Sequence, residues 1–219
     1  MSMMVNKTRS FENYTYKREI LDLKDIVKNF LKEVDIGKDV IQRVKIKNDK
    51  SDICYYVHGK DGKITYYENG ETEINPIEDY DKEFDWYFLK FYDQSLNEDI
   101  DVSIKEKYSS IINHITKLPL TYGAFHHCSA NTFIFEHYDQ TTSPEGSETG
   151  RTNIIIPLNK PNSKGCIIHV DGEEFDLMEY DAFCFNAQFK HKMYNNTGKD
   201  VTLLVLHSRS DDFKVVSQV

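Results

Sequence analysis

"FIFEHYDQTTSPEGSETGRTNIIIPL", residues 133–158, decides how the rest of the chain is read. Phe133 to Asp139 has the composition of a strand, and successive strand side chains turn to opposite faces. On that periodicity His137 and Asp139 share one face and Tyr138 takes the other. The run then breaks into small polar residues, "QTTSPEGSETG" at 140–150, and resumes as Arg151, Thr152 and Asn153 ahead of three isoleucines. An imidazole and a carboxylate on one strand face, followed by a loop of lid-like composition, raise the expectation of a metal site.

Working outward, the chain after Leu120 is a succession of short runs rich in β-branched and aromatic residues. They include "KGCIIHVDG", "EEFDLM", "DAFCFNA", "HKMYNN" and "VTLLVLHS", parted by Pro161-Asn162-Ser163, Asp171-Gly172 and Thr197-Gly198. Upstream, Ile20, Leu23, Val27, Phe30, Leu31 and Val34 fall on one face of a helix from Tyr16 to Val34, which Gly37 follows. A second helix, "SIKEKYSSIINHITKL", is expected from an N-cap at Ser103 to a stop before Pro119. Between them, strand-like runs flank an Asp61-Gly62 turn, and "FDWYFLKFY" at 84–92 is either core or an interaction surface. Helices followed by many short strands fit a mainly β protein, a barrel or sandwich with N-terminal helices packed outside. Residues 1–16 read as a flexible N-terminal arm and 17–219 as a single domain. Within it, 17–119 form a helical and hairpin outer layer and 120–208 the β core.

The net charge of −9 lacks the basic excess of a general nucleic-acid binder. No run approaches the about 18 apolar residues of a membrane span. The opening "MSMMVNKTRS" has no apolar signal core, and Cys54, Cys128, Cys166 and Cys184 form no CxxC pair. Reduced thiols in a cytoplasmic setting are expected, in which the sequons at Asn6, Asn13 and Asn195 carry no glycan.

A second imidazole would complete a two-histidine, one-carboxylate face, a set suited to iron(II) with open positions. His169, His191, His207 and the His126-His127 pair are the candidates, and His191 in "FKHKMYNN" is the best placed. His169-Val170-Asp171 repeats the His-x-Asp string, but its Asp171-Gly172 reads as a hairpin turn. Any single histidine in a β domain is more often a hydrogen-bonded or surface residue than a ligand.

"HYD", "RTNIIIPL", the Gly165 turn with "CIIHVDGEEFDLMEYDAFCFN", and "FKHKMYNNTGKDVTLLVLH" stand in an order with a known counterpart. Residues 120–208 resemble the double-stranded β-helix, a jelly-roll or cupin-like barrel, of 2-oxoglutarate- and iron(II)-dependent oxygenases. They look most like the branch that includes the aspartyl/asparaginyl β-hydroxylases. The resemblance implies iron(II) held by His137, Asp139 and His191, 2-oxoglutarate as cosubstrate, and hydroxylation of a C–H bond with release of succinate and CO2. Many such enzymes anchor the cosubstrate through an arginine at the place taken here by Val201. Arg151 is the substitute expected here, with Asn153 adding a hydrogen bond and Lys199 and Arg209 as further candidates. A surface ion pair of Arg151 with Glu145 or Glu148 is the competing reading. The substrate expected is a small molecule or a peptide or protein side chain, and the assembly a monomer or homodimer. Two other functions compete: a cupin-type metalloprotein of another activity (isomerase, lyase or 2-oxoglutarate-independent dioxygenase), and a metal-free barrel used for binding.

Overall fold

The computed structural model describes residues 8–9, 11–30, 53–58, 64–67, 86–94, 106–137, 151–159, 164–179, 181–209 and 212. In chain order the strands are β1 (Thr8–Arg9), β2 (Ile53–His58), β3 (Ile64–Tyr67), β4 (Trp86–Asp93), β5 (Leu120–Cys128) and β6 (Thr132–His137). They continue as β7 (Arg151–Pro157), β8 (Cys166–Val170), β9 (Glu173–Asp176), β10 (Phe183–Asn186), β11 (His191–Asn195) and β12 (Val201–Arg209). The helices are α1 (Lys17–Phe30) and α2 (Ser109–Ile115).

The strands form two antiparallel sheets. One runs β1-β10-β7-β12-β5-β4-β2-β3 and the other β6-β11-β8-β9. From β5 onward the chain visits the large sheet, the small, the large, the small twice, then large, small and large. That alternation makes the core a double-stranded β-helix, and the protein is mainly β with helices outside.

Ile155, Phe185, Leu203 and Val205 of the large sheet meet Ile134, Ile168, Val170 and Met193 of the small one. The opposite face of the large sheet carries Ile154, Ile156, Phe125, Leu204 and Leu206 under the helices. Alternate residues of β7 and β12 thus enter two different cores. This is why "IIIPL" and "LLVL" are apolar without a break rather than alternating.

Ile20, Leu23 and Val27 of α1 are fully buried with Ile111 and Ile115 of α2, so the stripe expected of the first helix is the one used as far as Val27. The continuation of α1 to Val34 and the Ser103 cap lie outside the described residues. Tyr108, a fully buried core residue, instead forms a turn ahead of α2 and provides no side-chain cap. β2 and β3 pair from Tyr55–Tyr67 to His58–Ile64, and the Asp61-Gly62 turn between them also lies outside the described residues. "FDWYFLKFY" supplies β4, where Phe91 is fully buried with its ring 4.8 Å from Phe125. At Phe91 the cluster is core.

Within the span expected as a loose arm, β1 pairs with β10 and Tyr14 is buried. The Tyr14 hydroxyl lies 3.1 Å from Ser208 Oγ, which donates to Asp212 Oδ2 at 2.8 Å. Burial raises the Tyr14 phenol well above its ordinary value, against the pull of the Ser208 hydrogen bond.

The ends of the small sheet are pinned by short devices. Asp171 (φ 48°) and Gly172 (φ 86°) close β8 to β9 as the two-residue turn expected. At the other end Asn195 Nδ2 donates to the carbonyls of Cys128, Ser129 and Lys199 at 2.8–3.0 Å. Asn195 is 1% exposed, a position no glycan could occupy.

Candidate functional site

The site is built from the paired strands β6 and β11. His191 is the Cα partner of His137, and Met193 is the partner of Ile134. Between these pairs β6 advances three residues and β11 two, a β-bulge. In an unbulged ladder Glu136, rather than His137, would lie opposite His191. The structure describes His137 through its backbone, and Asp139 lies outside the described residues.

His191 opens β11 and is buried on the inner face, in line with Met193. Its Nδ1 is 3.0 Å from the carbonyl oxygen of Phe189. A carbonyl only accepts, so Nδ1 carries the proton and Nε2 of the neutral ring keeps its lone pair. The ring of Phe185 meets the imidazole edge-on at 4.8 Å. Phe185 therefore connects the small sheet to the large one at this end of the barrel.

On the large sheet Phe185 is the Cα partner of Asn153, and Asn153 is the partner of His207. His207 in turn stacks on Tyr122, with ring centroids 4.2 Å apart and planes 13° from parallel. Asn153 and His207 are both buried. One step further out Arg151 is paired with Arg209. Arg151 and Asn153 are thus neighbours on one strand face, as the periodicity predicts, at the end of the barrel where His191 lies. Sequence reasoning weighed His207 only as a metal ligand and missed Phe185. Neither carries a local signal, since each acquires its place from strand pairing.

The remaining candidates lie elsewhere. His169 Nε2 is 3.5 Å from Glu174, and its ring meets Tyr194 edge-on, on the outer face of the small sheet. The repeated His-x-Asp string is therefore a surface pair and a turn. His127 Nε2 is 3.4 Å from Asp200 at the opposite end of the barrel. Val201 is fully buried among Cys128, Leu203 and their neighbours, at the Asn195 end of the core. That is roughly 13 Å along β11 from His191, counting four residues of strand rise. Burial raises the Cys128 thiol further, with Cys166 and Asp200 adding to it. Among the described residues, no three His, Cys, Asp or Glu side chains converge as a metal-binding group.

The sequence pattern described as aspartyl/asparaginyl beta-hydroxylase matches residues 55–209, most of the chain. The chain belongs to the aspartyl/asparaginyl β-hydroxylase family. The match begins within β2 and takes in β3, β4 and all eight strands of the β-helix, while β1 and α1 precede it. Family membership supports a hydroxylase-type oxygenase.

Similar solved structures are distant. An oxidoreductase of the 2OG-Fe(II) oxygenase family from Burkholderia pseudomallei is 10% identical, with TM-score 0.39, over 58% of this chain and 69% of that one. The cupin domain of Schizosaccharomyces pombe Cnp3 is 10% identical, with TM-score 0.38, over 73% of this chain and 88% of that one. A predicted oxalate decarboxylase from Thermotoga maritima is 11% identical, with TM-score 0.35, over 57% and 80% respectively. No curated protein matches the chain. Among the described residues, no helix is long and apolar enough to cross a membrane.

Proposed function

We propose that this hydroxylase-family chain depends on iron(II) and 2-oxoglutarate, with His137, Asp139 and His191 as metal ligands. In this reading Arg151 and Asn153 hold the cosubstrate carboxylate. The observation that carries it is the pairing of position 137 with His191 across the bulge. Opposed positions of an antiparallel pair have Cβ atoms about 5 Å apart, a spacing that suits two imidazoles sharing one divalent ion. The donor chemistry fits: two neutral imidazoles and a carboxylate leave positions open on iron(II). The Phe189 carbonyl on His191 Nδ1 is the outer support that metal-bound imidazoles characteristically have.

Iron(II) and 2-oxoglutarate, when bound, supply with dioxygen the oxidising chemistry that hydroxylates a C–H bond and yields succinate and CO2. The chain's own residues orient and shield. Phe185 packs against the imidazole of His191, restricting its rotation and excluding water from that side. Arg151 offers a carboxylate two parallel donors, and Asn153 adds a third from the same strand face. His207 and Tyr122 form the wall beyond Asn153. The substrate is a small molecule or the side chain of a peptide or protein, met in the cytoplasm by a monomer or homodimer.

Anaerobic addition of iron(II) with and without 2-oxoglutarate tests the reading. The native protein should give the visible charge-transfer band of the chelate only when both are present. His191→Ala should abolish the band, and Arg151→Gln should raise the 2-oxoglutarate needed by about tenfold or more. Iron binding without any response to 2-oxoglutarate would favour a cupin-type metalloprotein of another activity instead.

A further inference from the structure

Asn186, the last residue of β10, is 1% exposed, and the chain turns there to enter β11 at His191. Three consecutive N–H groups of that turn are tied down. Ala187 N donates to the carbonyl of Arg151 at 2.9 Å, and Phe189 N to the carbonyl of Asn186 at 3.1 Å. Between them Gln188 N donates to the side chain of Asn186, at Oδ1, over 3.0 Å. Asn186 thus receives two of the three donors, one on its backbone and one on its amide, at the turn-opening position that asparagine favours. The far end is fixed too, since the Lys190 carbonyl accepts from Asp171 N at 2.7 Å. What the turn delivers between these anchors is the Phe189 carbonyl, 3.0 Å from Nδ1 of His191.

Backbone bonds secure Ala187 and Lys190, but the middle of the turn depends on the bond from Gln188 to the Asn186 amide. We infer that Asn186 is a positioning residue for His191. By gathering the turn it aims the Phe189 carbonyl at Nδ1, so the ring proton stays on Nδ1 and Nε2 is left for a metal. This rests on the reading of His191 as a metal ligand. A neutral amide does the work without the buried charge that a carboxylate would bring to so enclosed a position. Without Oδ1 the Gln188 N–H loses this acceptor, the Phe189 carbonyl is free to swing, and either ring nitrogen can hold the proton. Only rings protonated on Nδ1 present Nε2 to a metal, so apparent iron(II) affinity falls with their share.

The test compares the full chain with Asn186→Ala and Asn186→Ser. Ring nitrogen–proton NMR correlations, assigned through His191→Ala, give the tautomer of His191 in the metal-free protein, and anaerobic calorimetry gives iron(II) affinity. The native ring should carry its proton on Nδ1. Asn186→Ala should give a mixture of tautomers and lower iron(II) affinity by about tenfold. Asn186→Ser keeps an oxygen that can accept from the N–H two residues on, so it should restore the Nδ1 proton and bring iron(II) affinity within about threefold of native. Should Asn186→Ala not fold, Asn186→Val supplies an acceptor-free side chain suited to a buried strand position. A merely structural role would lower the urea midpoint and leave the tautomer of the folded molecules unchanged. The inference is overturned if the acceptor-free variant keeps the native tautomer, or if Asn186→Ser behaves no better than that variant. Absence of iron(II) binding in the native protein removes the metal reading alone, because the tautomer comparison is made without metal.

Discussion

His137 and His191 are Cα partners even though the strand bearing His137 is one residue longer than its partner between that pair and the next. Bulges re-aim residues at functional sites, and here one brings an imidazole rather than the Glu136 carboxylate opposite His191. Replacing either histidine with alanine should lower iron(II) affinity by roughly 100-fold or more, beyond the 10–100-fold typical of outer-shell changes. Anaerobic calorimetry checks this, with far-UV circular dichroism unchanged. Retention of native affinity in His191→Ala would discard the assignment.

Much of this arrangement is legible in the sequence, and the parts that are not share one cause. "CIIHVDGEEFD" declares a strand, a two-residue turn and a strand through local chemistry alone, because Asp171 and Gly172 both take positive φ. "RTNIIIPL" reads as a strand from its isoleucines, and its burial on both faces appears only once the two cores are in place. The bulge in β6 leaves no such mark, since strict period-two alternation from Phe133 would run straight through it. The Arg151–Arg209 and Asn153–His207 pairs exist only once β7 and β12 are in register. Tyr14 and Ser208, 194 positions apart, are a contact that no local pattern announces, which is how a polar arm can be firmly held.

That Tyr14 contact gives the protein an alkaline limit. The fold favours the neutral phenol, so this stabilisation is whole below the ordinary pKa of 10.0 and is lost as pH rises beyond it. Tyr14→Phe should cost about 1 kcal/mol at neutral pH through the lost hydrogen bond. The gap between native and variant urea midpoints should then narrow between about pH 8 and about pH 11, because the variant has no phenol to ionise. A gap that widens with pH would contradict the burial argument. Cys128 contributes a decline of the same sign, beginning from its ordinary value of 9.0, and both proteins share it.

Two glycines separate backbone conformation from crowding. Gly172 has φ +86° with open space where a Cβ would stand. Gly165 has φ +129°, and a Cβ there would meet the backbone carbon and oxygen of Asn196 at 2.9 Å. Gly172→Ala should cost about 1 kcal/mol from conformation alone. Gly165→Ala should cost about 3 kcal/mol or more, because Asn196 N also bonds the Gly165 carbonyl at 2.7 Å and the turn cannot easily give way. Equal urea midpoints for the two variants would show that the close approach is relaxed without strain.

Asn195 closes the barrel at the end away from His191, and that distance makes it a test of how independent the site is. Its amide donates to three carbonyls, from the β5–β6 turn and the β11–β12 turn, while its Oδ1 accepts from Thr197 N at 3.2 Å and Thr197 Oγ1 at 2.7 Å. Asn195→Ala removes a donor from the buried Cys128 carbonyl and from the Ser129 and Lys199 carbonyls and should cost about 2–4 kcal/mol, read from urea denaturation. Asn195→Asp should be comparably damaging, since a carboxylate would face the Cys128, Ser129 and Lys199 oxygens with no proton to offer. His191 is separated from Asn195 by the packed interior of Ile168, Met193 and Val205, and its carbonyl support on Phe189 does not involve Asn195. Iron(II) affinity per folded molecule should therefore stay within about threefold of native below the unfolding transition. A fall in iron affinity that tracks the stability loss at low urea would mean that the two ends of the barrel open together, and that the His137–His191 register depends on the latch at the far end.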